Sequence, residues 1–328
     1  MLMLVAAVAA LVIENTPVLP YFAEFWHTFD IGISLGDFAP HLSLEHFIND
    51  FLMAIFFLLV AGLLGACLGS FVNCLAWRLV HGESVWKGRS HCAVCNHPLA
   101  PLDLVPVLSW LFLRGRCRYC GERIAARYMA AELLCGLFFM SMVAVYGLTV
   151  HALALCALGC ILLGLSLVDL ETYTIPNGFI IAGIAAWAVS FAFYGVDLSA
   201  MGLGSLMLAF AGSPLAAVLL DGLLGAFVVA GCLLALSLVF DKVMGRRSLG
   251  GGDVKLVFMV GLFLGLAGSV LNLIVACVVG IVFAYATQKR RQDTNDPQAF
   301  PFGPSIALAT WFTLALGPQL IAWYLGLF

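Results

Sequence analysis

Charge is what this sequence has least of. Only 10% of its 328 residues are Asp, Glu, Lys or Arg, where a soluble globular domain carries about 25%. With 63% apolar residues the chain cannot cover a water-facing surface, which excludes an ordinary soluble domain. Residues 1 to 13 are apolar but lack the basic start of a signal peptide. No internal repeat is visible, and repeats are common in transporters. The net charge of −3 decides little. No nucleic-acid partner is expected.

What is present is a series of apolar runs near the roughly 20 residues that span a bilayer as helix. The expected fold is an all-α polytopic membrane protein of about eight transmembrane helices. Their expected places are 51–77, 129–148, 151–168, 177–195, 223–241, 256–268, 269–288 and 302 to the end. Residues 1–50 contain acids and no base, which suits the outer side. Residues 197–221 read as an apolar insertion on the outer side. Residues 78–128 are the one stretch long and polar enough to form a separate small domain. Residues 129–328 then form the main membrane domain.

All 15 bases fall in three segments: Arg78 to Arg127, Lys242 to Lys255, and Lys289 to Arg291. The positive-inside rule makes all three cytoplasmic. Counting crossings from there puts Asp169 and Asp253 at cytoplasmic helix ends, far apart in sequence but on one side. Glu171 shares that side, while Asp197 and Asp221 fall outside.

Eleven cysteines divide into two kinds. Seven lie in apolar spans and read as small buried hydrophobes. The other four form Cys92-x2-Cys95 and Cys117-x2-Cys120, separated by 21 residues. That spacing fits a tetrahedral zinc ribbon. A cytosolic location argues against two disulfides, and a redox motif would need a βαβ context that is missing. Structural Zn2+ is expected on Cys92, Cys95, Cys117 and Cys120, without His91 or His97.

Gly250-Gly251-Gly252-Asp253-Val254-Lys255 joins a polar loop to an apolar helix. Taken alone it reads as an Asp-started helix. With Asp169 on the same side it gains a partner. Two carboxylates that share one proton can activate water and polarise a peptide carbonyl. Membrane carboxylates also serve proton-coupled transporters. Gly250 and Gly252 would let substrate backbone, or the helix carrying Asp169, approach Asp253. Lys255 reads as a loop anchor or a snorkelling base.

Several motifs now occur in order. They are Gly69-Ser70-Phe71-Val72-Asn73 with Arg78, the double CxxC, Pro106-Val107-Leu108-Ser109-Trp110, and Arg114-Gly115-Arg116-Cys117. Arg127-Tyr128 with Glu132, Asp169 ahead of Pro176-Asn177, the Gly-x-Gly-Asp stretch, and Pro301-Phe302-Gly303-Pro304 follow. Together, over about residues 60 to 328, the chain resembles the bacterial type IV prepilin peptidases. One departure is Asp103-Leu104-Val105-Pro106, where the family commonly has Asp-Asn-Ile-Pro.

The resemblance implies a membrane aspartic endopeptidase in the bacterial cytoplasmic membrane, active at its cytoplasmic face. The implied substrates are type IV prepilins or pseudopilins, cut after a Gly and before an apolar helix. It implies Asp169 and Asp253 as the catalytic pair and the four cysteines as zinc ligands. It also implies N-methylation of the new terminus with S-adenosylmethionine, linked to the zinc domain. Two alternatives stay open: a peptidase without methyltransferase activity, and a non-enzymatic zinc-ribbon scaffold or proton-coupled transporter.

Overall fold

The computed structural model describes residues 30–32, 41–43, 51–85, 88–192, 211–245, 250–291 and 300–327. Most of the expected N-terminal extension lies outside these residues. So do 197–210 of the expected insertion, the bases Lys87, Arg246 and Arg247, and the side chains of Lys289, Arg290 and Arg291.

The chain divides into two compact units, Met1–Val60 and Ala61–Phe328. In the first, strands β1 (Asp30–Gly32) and β2 (His41–Ser43) pair antiparallel, with Ile31 opposite Leu42. Apart from this ribbon, the regular structure of the described residues is helical. Helix α1 (Met53–His81) begins in the first unit and ends in the second.

The second unit continues through a 3-10 turn (Pro101–Leu104) and the short α2 (Leu108–Phe112). Then come α3 (Ala126–Tyr146), α4 (Val150–Thr172) and α5 (Asn177–Ala192). Helices α6 (Pro214–Leu224) and α7 (Ala230–Met244) join through a π turn, Gly225–Val229. Last are α8 (Gly251–Arg291) and α9 (Gly303–Leu325). Among the described residues six helices, with α6 and α7 counted as one, are long and apolar enough to cross a membrane. Helix α5 is apolar but shorter. The expected span 177–195 falls on α5, and the expected spans 256–268 and 269–288 fall on the two arms of α8.

Small residues let these helices approach. A Cβ on Gly65 would lie 2.7 Å from the Cys135 carbonyl oxygen, and one on Gly136 would lie 2.9 Å from that of Gly62. Backbone-to-backbone contact of this kind supplies packing where lipid offers no hydrophobic drive. Trp311 donates to Ser141 Oγ, and Tyr146 donates to the Leu314 carbonyl, which fixes α9 along α3.

The two arms of α8 meet at Gly265, with φ +66° and ψ −173° inside an otherwise helical run. The turn reverses the chain. Asp253 opens the first arm. On the second arm Gly280 packs on Phe302, whose ring would be 3.0 Å from an added Cβ. Phe302 precedes Gly303, which bonds Asp169. The second arm therefore returns to the depth from which the first set out. The first arm, from Gly251 to Leu264, is only about 21 Å long. That is shorter than the roughly 30 Å of a hydrocarbon core.

Backbone freed inside lipid must find a partner in the protein. Asp221 provides it: its Oδ1 accepts from the Leu266 N–H at 3.0 Å, and the residue is 4% exposed. This corrects two expectations. The reversal falls at Gly265 rather than between 268 and 269. Asp221 does not lie ahead of the helix; it is buried in α6, which starts at Pro214 behind the Ser213 cap. Counting apolar runs began the span at 223 and left Asp221 out. The contact is tight, since a Cβ on Gly265 would lie 2.0 Å from Asp221 Oδ2.

Gly265→Ala is accordingly expected to destabilise the protein by about 3 kcal/mol or more, through a positive φ and a backbone-level clash. Asp221→Leu leaves the Leu266 N–H unsatisfied and should cost about 1–3 kcal/mol, while Asp221→Asn, which keeps an acceptor, should cost less. Thermal unfolding in detergent measures the order. Native stability in Gly265→Ala would refute the role of the turn.

Candidate active site and metal centre

Asp169 lies in the last turn of α4 and is 3% exposed. The helix stops just beyond it. Tyr173 takes a left-handed conformation and its N–H returns to the Asp169 carbonyl at 2.9 Å, after which Ile175-Pro176 leads into α5. The carboxylate Oδ2 accepts from the Gly303 N–H at 2.9 Å. Gly303 opens α9, so its N–H belongs to the unpaired first turn of a helix, whose dipole favours a negative charge. A Cβ on Gly303 would lie 2.7 Å from Asp169 Oδ2. Only glycine lets the helix start come this close.

Asp253 lies in the first turn of α8, partly buried, with its N–H donating to the Gly250 carbonyl at 3.1 Å. It is close enough to Asp169 for the two charges to interact. The glycines before it have different surroundings. Gly250 lies against the Asp253 carboxylate, 3.1 Å from where its Cβ would be. Gly252 faces Ile175, on the loop that follows Asp169, at 3.0 Å. Gly251 meets nothing within 4 Å. Lys255 is exposed, and its Nζ donates to Asn177 Oδ1 at 3.0 Å. It is therefore an anchor between the starts of α8 and α5, not merely a snorkelling base.

Glu171, on the same side by the count of crossings, has a partner of its own. Arg127 at the start of α3 forms an ion pair with it, two residues beyond Asp169. The contacts with Gly303, Asp221 and Glu132 escaped the sequence reading. Of these, only Pro301-Phe302-Gly303-Pro304 carried a signal, a helix start with two prolines.

The four-cysteine domain is built from two similar knuckles. In the first, Asn96 N–H bonds the Cys92 carbonyl and Cys92 N–H bonds that of His97. In the second, Gly121 N–H bonds the Cys117 carbonyl and Cys117 N–H bonds that of Glu122. Asn96 and Gly121 both take positive φ to close the turns. All four sulfurs lie within 4.8 Å of one another, and Cys92 and Cys120 are 3.9 Å apart. Thiolates about 2.3 Å from a zinc ion would sit ~3.8 Å from one another. No disulfide joins them. The cluster is thus able to hold a metal ion.

Its protonation is strained without one. Burial works against the Cys92 thiolate, but hydrogen bonds from the Cys95 and Val94 backbone and the neighbouring thiols bring it down to about 7. At Cys120 the Glu122 N–H acts downward, yet desolvation and the three other thiols push it up to about 12. Four thiols cannot ionise together unless a cation joins them. The histidines stay out of the cluster. His97 stacks on Tyr119 at 3.7 Å, and His91 Nδ1 contacts the Arg89 carbonyl at 3.4 Å.

Three contacts tie this domain to the helices. Arg78, 8% exposed, donates to the carbonyls of Ser84, Val85 and Gly88. Glu132 of α3 accepts from the Val107 N–H at 2.8 Å, where Val107 is held at φ +60°. The third is the Arg127–Glu171 pair.

Residues 63–146 match the family model described as Bacterial Peptidase A24 N-terminal domain, and residues 156–285 match that of the Type IV leader peptidase family. Residues 1–63 match a model described as Na+/H+ antiporter 1, a match that ends before any of the site residues. A prepilin leader peptidase/N-methyltransferase of Pseudomonas putida is 30% identical over 290 residues, 81% of this chain and 93% of the relative. One of Myxococcus xanthus is 34% identical over 254 residues, 76% of this chain and 70% of the relative. One of Stutzerimonas stutzeri is 30% identical over 292 residues, 82% of this chain and 94% of the relative. No solved structure matches the chain significantly. Identity at this level over most of both chains, with the two family matches lying in order along the bundle, makes this a multi-pass bacterial membrane protein that belongs to the type IV leader peptidase family.

Proposed function

We propose that the chain is an aspartic endopeptidase that removes the leader of type IV prepilins or pseudopilins at the cytoplasmic face of the bacterial inner membrane, and then N-methylates the new terminus. The observation that carries the reading is that two helix ends far apart in sequence bring Asp169 and Asp253 near one another, with Gly252 packed on Ile175 of the loop that follows Asp169. The three groups of basic residues support the cytoplasmic side.

The chemistry follows from two carboxylates sharing a proton. The ionised one takes a proton from a water molecule as that water attacks the peptide carbonyl. The protonated one hydrogen-bonds the carbonyl oxygen and stabilises the charge that develops there. Protonation of the leaving amine then breaks the C–N bond, with no covalent intermediate on the enzyme. Gly303 N–H holds Asp169 in place through this cycle, and the Lys255–Asn177 bond holds the loop that carries Asp253.

An open apolar groove of about 380 Å³ runs beside the site. Ile180, Ile184, Phe227 and Phe258 line it, together with Val254 and Lys255, which follow Asp253 in the chain. It suits the apolar helix of a pilin that begins just after the scissile bond. Its side along the π turn is shaped by Phe227 and Ala230, and π turns within α-helices often mark functional sites.

Cys92, Cys95, Cys117 and Cys120 would hold a structural Zn2+, which needs all four thiolates and leaves no open position for catalysis. S-adenosylmethionine, when bound, supplies an electrophilic methyl group. The domain bolted to α1 and α3 is the part of the chain with room for it.

Asp169→Asn and Asp253→Asn should each slow cleavage of a prepilin peptide by at least about 10³-fold, with native unfolding temperature. Mass analysis of the products reads this, and near-native cleavage by either variant would eliminate the pair. Cys92→Ser should lose bound zinc by elemental analysis and lower the unfolding temperature of the four-cysteine domain. A native protein free of zinc would contradict the metal assignment.

A further inference from the structure

The four-cysteine domain carries an apolar face that the described residues leave uncovered. Helix α2 presents Leu108, Leu111 and Phe112 at the spacing i, i+3 and i+4, which sets them on one side. They are 48%, 54% and 82% exposed. Leu102, on the 3-10 turn just before, is exposed as well. The opposite side of α2 belongs to Trp110, and it is fixed. The Trp110 indole N–H donates to the Ile124 carbonyl at 3.1 Å, and its ring lies 2.7 Å from where a Cβ on Gly115 would be. The helix cannot roll its leucines and Phe112 into the domain without losing that bond. Large apolar side chains gathered on one exposed face mark an interaction surface.

The level of α2 along the bundle says what covers it. Val107, which leads into α2, is held by Glu132 of α3. Glu132 lies six residues into α3, about 9 Å along the axis from Ala126. Beside it is Gly69 of α1, where an added Cβ would be 3.1 Å from the Glu132 Cα. Gly69 lies twelve residues, about 18 Å, before the end of α1 at His81. Helix side chains lean toward their own N-terminus, so Glu132 reaches back toward the level of Arg127. Helix α2 thus starts alongside the first turns of α3, not beyond the helix ends. With 21 residues α3 is about 31 Å long, close to the roughly 30 Å of a hydrocarbon core. When α3 spans that core, its first turn and α2 beside it fall where acyl chains meet headgroups. Bases complete the pattern. Arg114 and Gly115 take positive φ and end α2, and Arg114 and Arg116 are exposed. Among the described residues neither forms an ion pair.

From this juxtaposition we infer that α2 is an interfacial membrane anchor, and that its partner is the phospholipid surface of the bilayer that the bundle crosses. Leu108, Leu111 and Phe112 enter the edge of the acyl layer, and Arg114 and Arg116 bind the phosphates of anionic lipids beside them. A helix with one apolar face and bases at its margin has what in-plane membrane binding requires. A guanidinium also pairs with phosphate through two parallel hydrogen bonds. The anchor gives the four-cysteine domain a hold on lipid in addition to its ties to α1 and α3, and keeps the domain flat against the membrane. The inference rests on the membrane-spanning bundle and not on the peptidase reading.

The test uses the full chain in lipid nanodiscs made of phosphatidylcholine alone or mixed with phosphatidylglycerol. A photoreactive benzoylphenylalanine stands in place of Phe112, and its adducts after irradiation are identified by mass spectrometry. Phospholipid adducts are expected in both nanodiscs. In the mixed ones phosphatidylglycerol should exceed its share of the bilayer by at least about two-fold. Arg114→Gln combined with Arg116→Gln should abolish that excess while the adducts persist. Amide exchange gives a second reading without the probe. In Leu111→Asp, exchange over residues 108–113 should quicken at least about ten-fold against the native chain, with exchange in α3 unchanged as the sign that the fold is intact. Adducts only to protein, whether a second copy of this chain or another, would overturn the inference, and so would the lack of any adduct. Phosphatidylglycerol adducts in proportion to the bilayer would remove the role of the arginines. Native-like exchange in Leu111→Asp would show that lipid does not hold the helix.

Discussion

A carboxylate carried into an apolar bundle survives only if something donates to it. Three acids in this protein meet that condition in the same way, by accepting one backbone N–H from a distant element. Asp169 takes that of Gly303, Asp221 that of Leu266, and Glu132 that of Val107. Each donor sits where regular helix hydrogen bonding begins or breaks: the start of α9, the turn in α8, and the strained entry to α2. The acid needs a donor, and the irregular backbone needs an acceptor. One contact settles both debts, and the three contacts fix where α9, the α8 hairpin and the four-cysteine domain lie.

The proposed active site depends on that framework. Gly303 fixes Asp169 from α9, and Gly252 lets the start of α8 close against Ile175, on the loop that follows Asp169. Asp221 acts further off. By capping the Gly265 turn it makes α8 a hairpin with a short first arm, and a short arm keeps Asp253 at the depth of Asp169. If the first arm were long enough to cross, Asp253 would shift along the bundle relative to its partner.

Much of this was legible in the sequence. Scarce charge gave the membrane class, and the clustering of bases raised the expectation that Asp169 and Asp253 share one side. The CxxC spacing gave the sulfur cluster, because four ligands in two knuckles leave few other arrangements. What stayed hidden has a common cause. In lipid, helix faces toward neighbours and toward acyl chains are both apolar, so periodicity does not mark turns or depth. The α8 reversal was therefore misplaced by a few residues, and Asp221 was left out of the helix that holds it. Gly303 was quoted as part of a motif, but its role needs the coordinates: nothing local says that its N–H will meet a residue 134 positions earlier. The partners of Lys255 and Glu171, Asn177 and Arg127, are likewise visible only once the helices are packed.

The central claim is that Asp169 and Asp253 act as one unit. Residual cleavage by the Asp169→Asn, Asp253→Asn double variant, set against each single variant under long incubation, tests it most directly. A shared-proton pair loses its function once, so the double variant should cleave no more slowly than the slower single variant. Independent losses that multiply in the double variant would contradict the account.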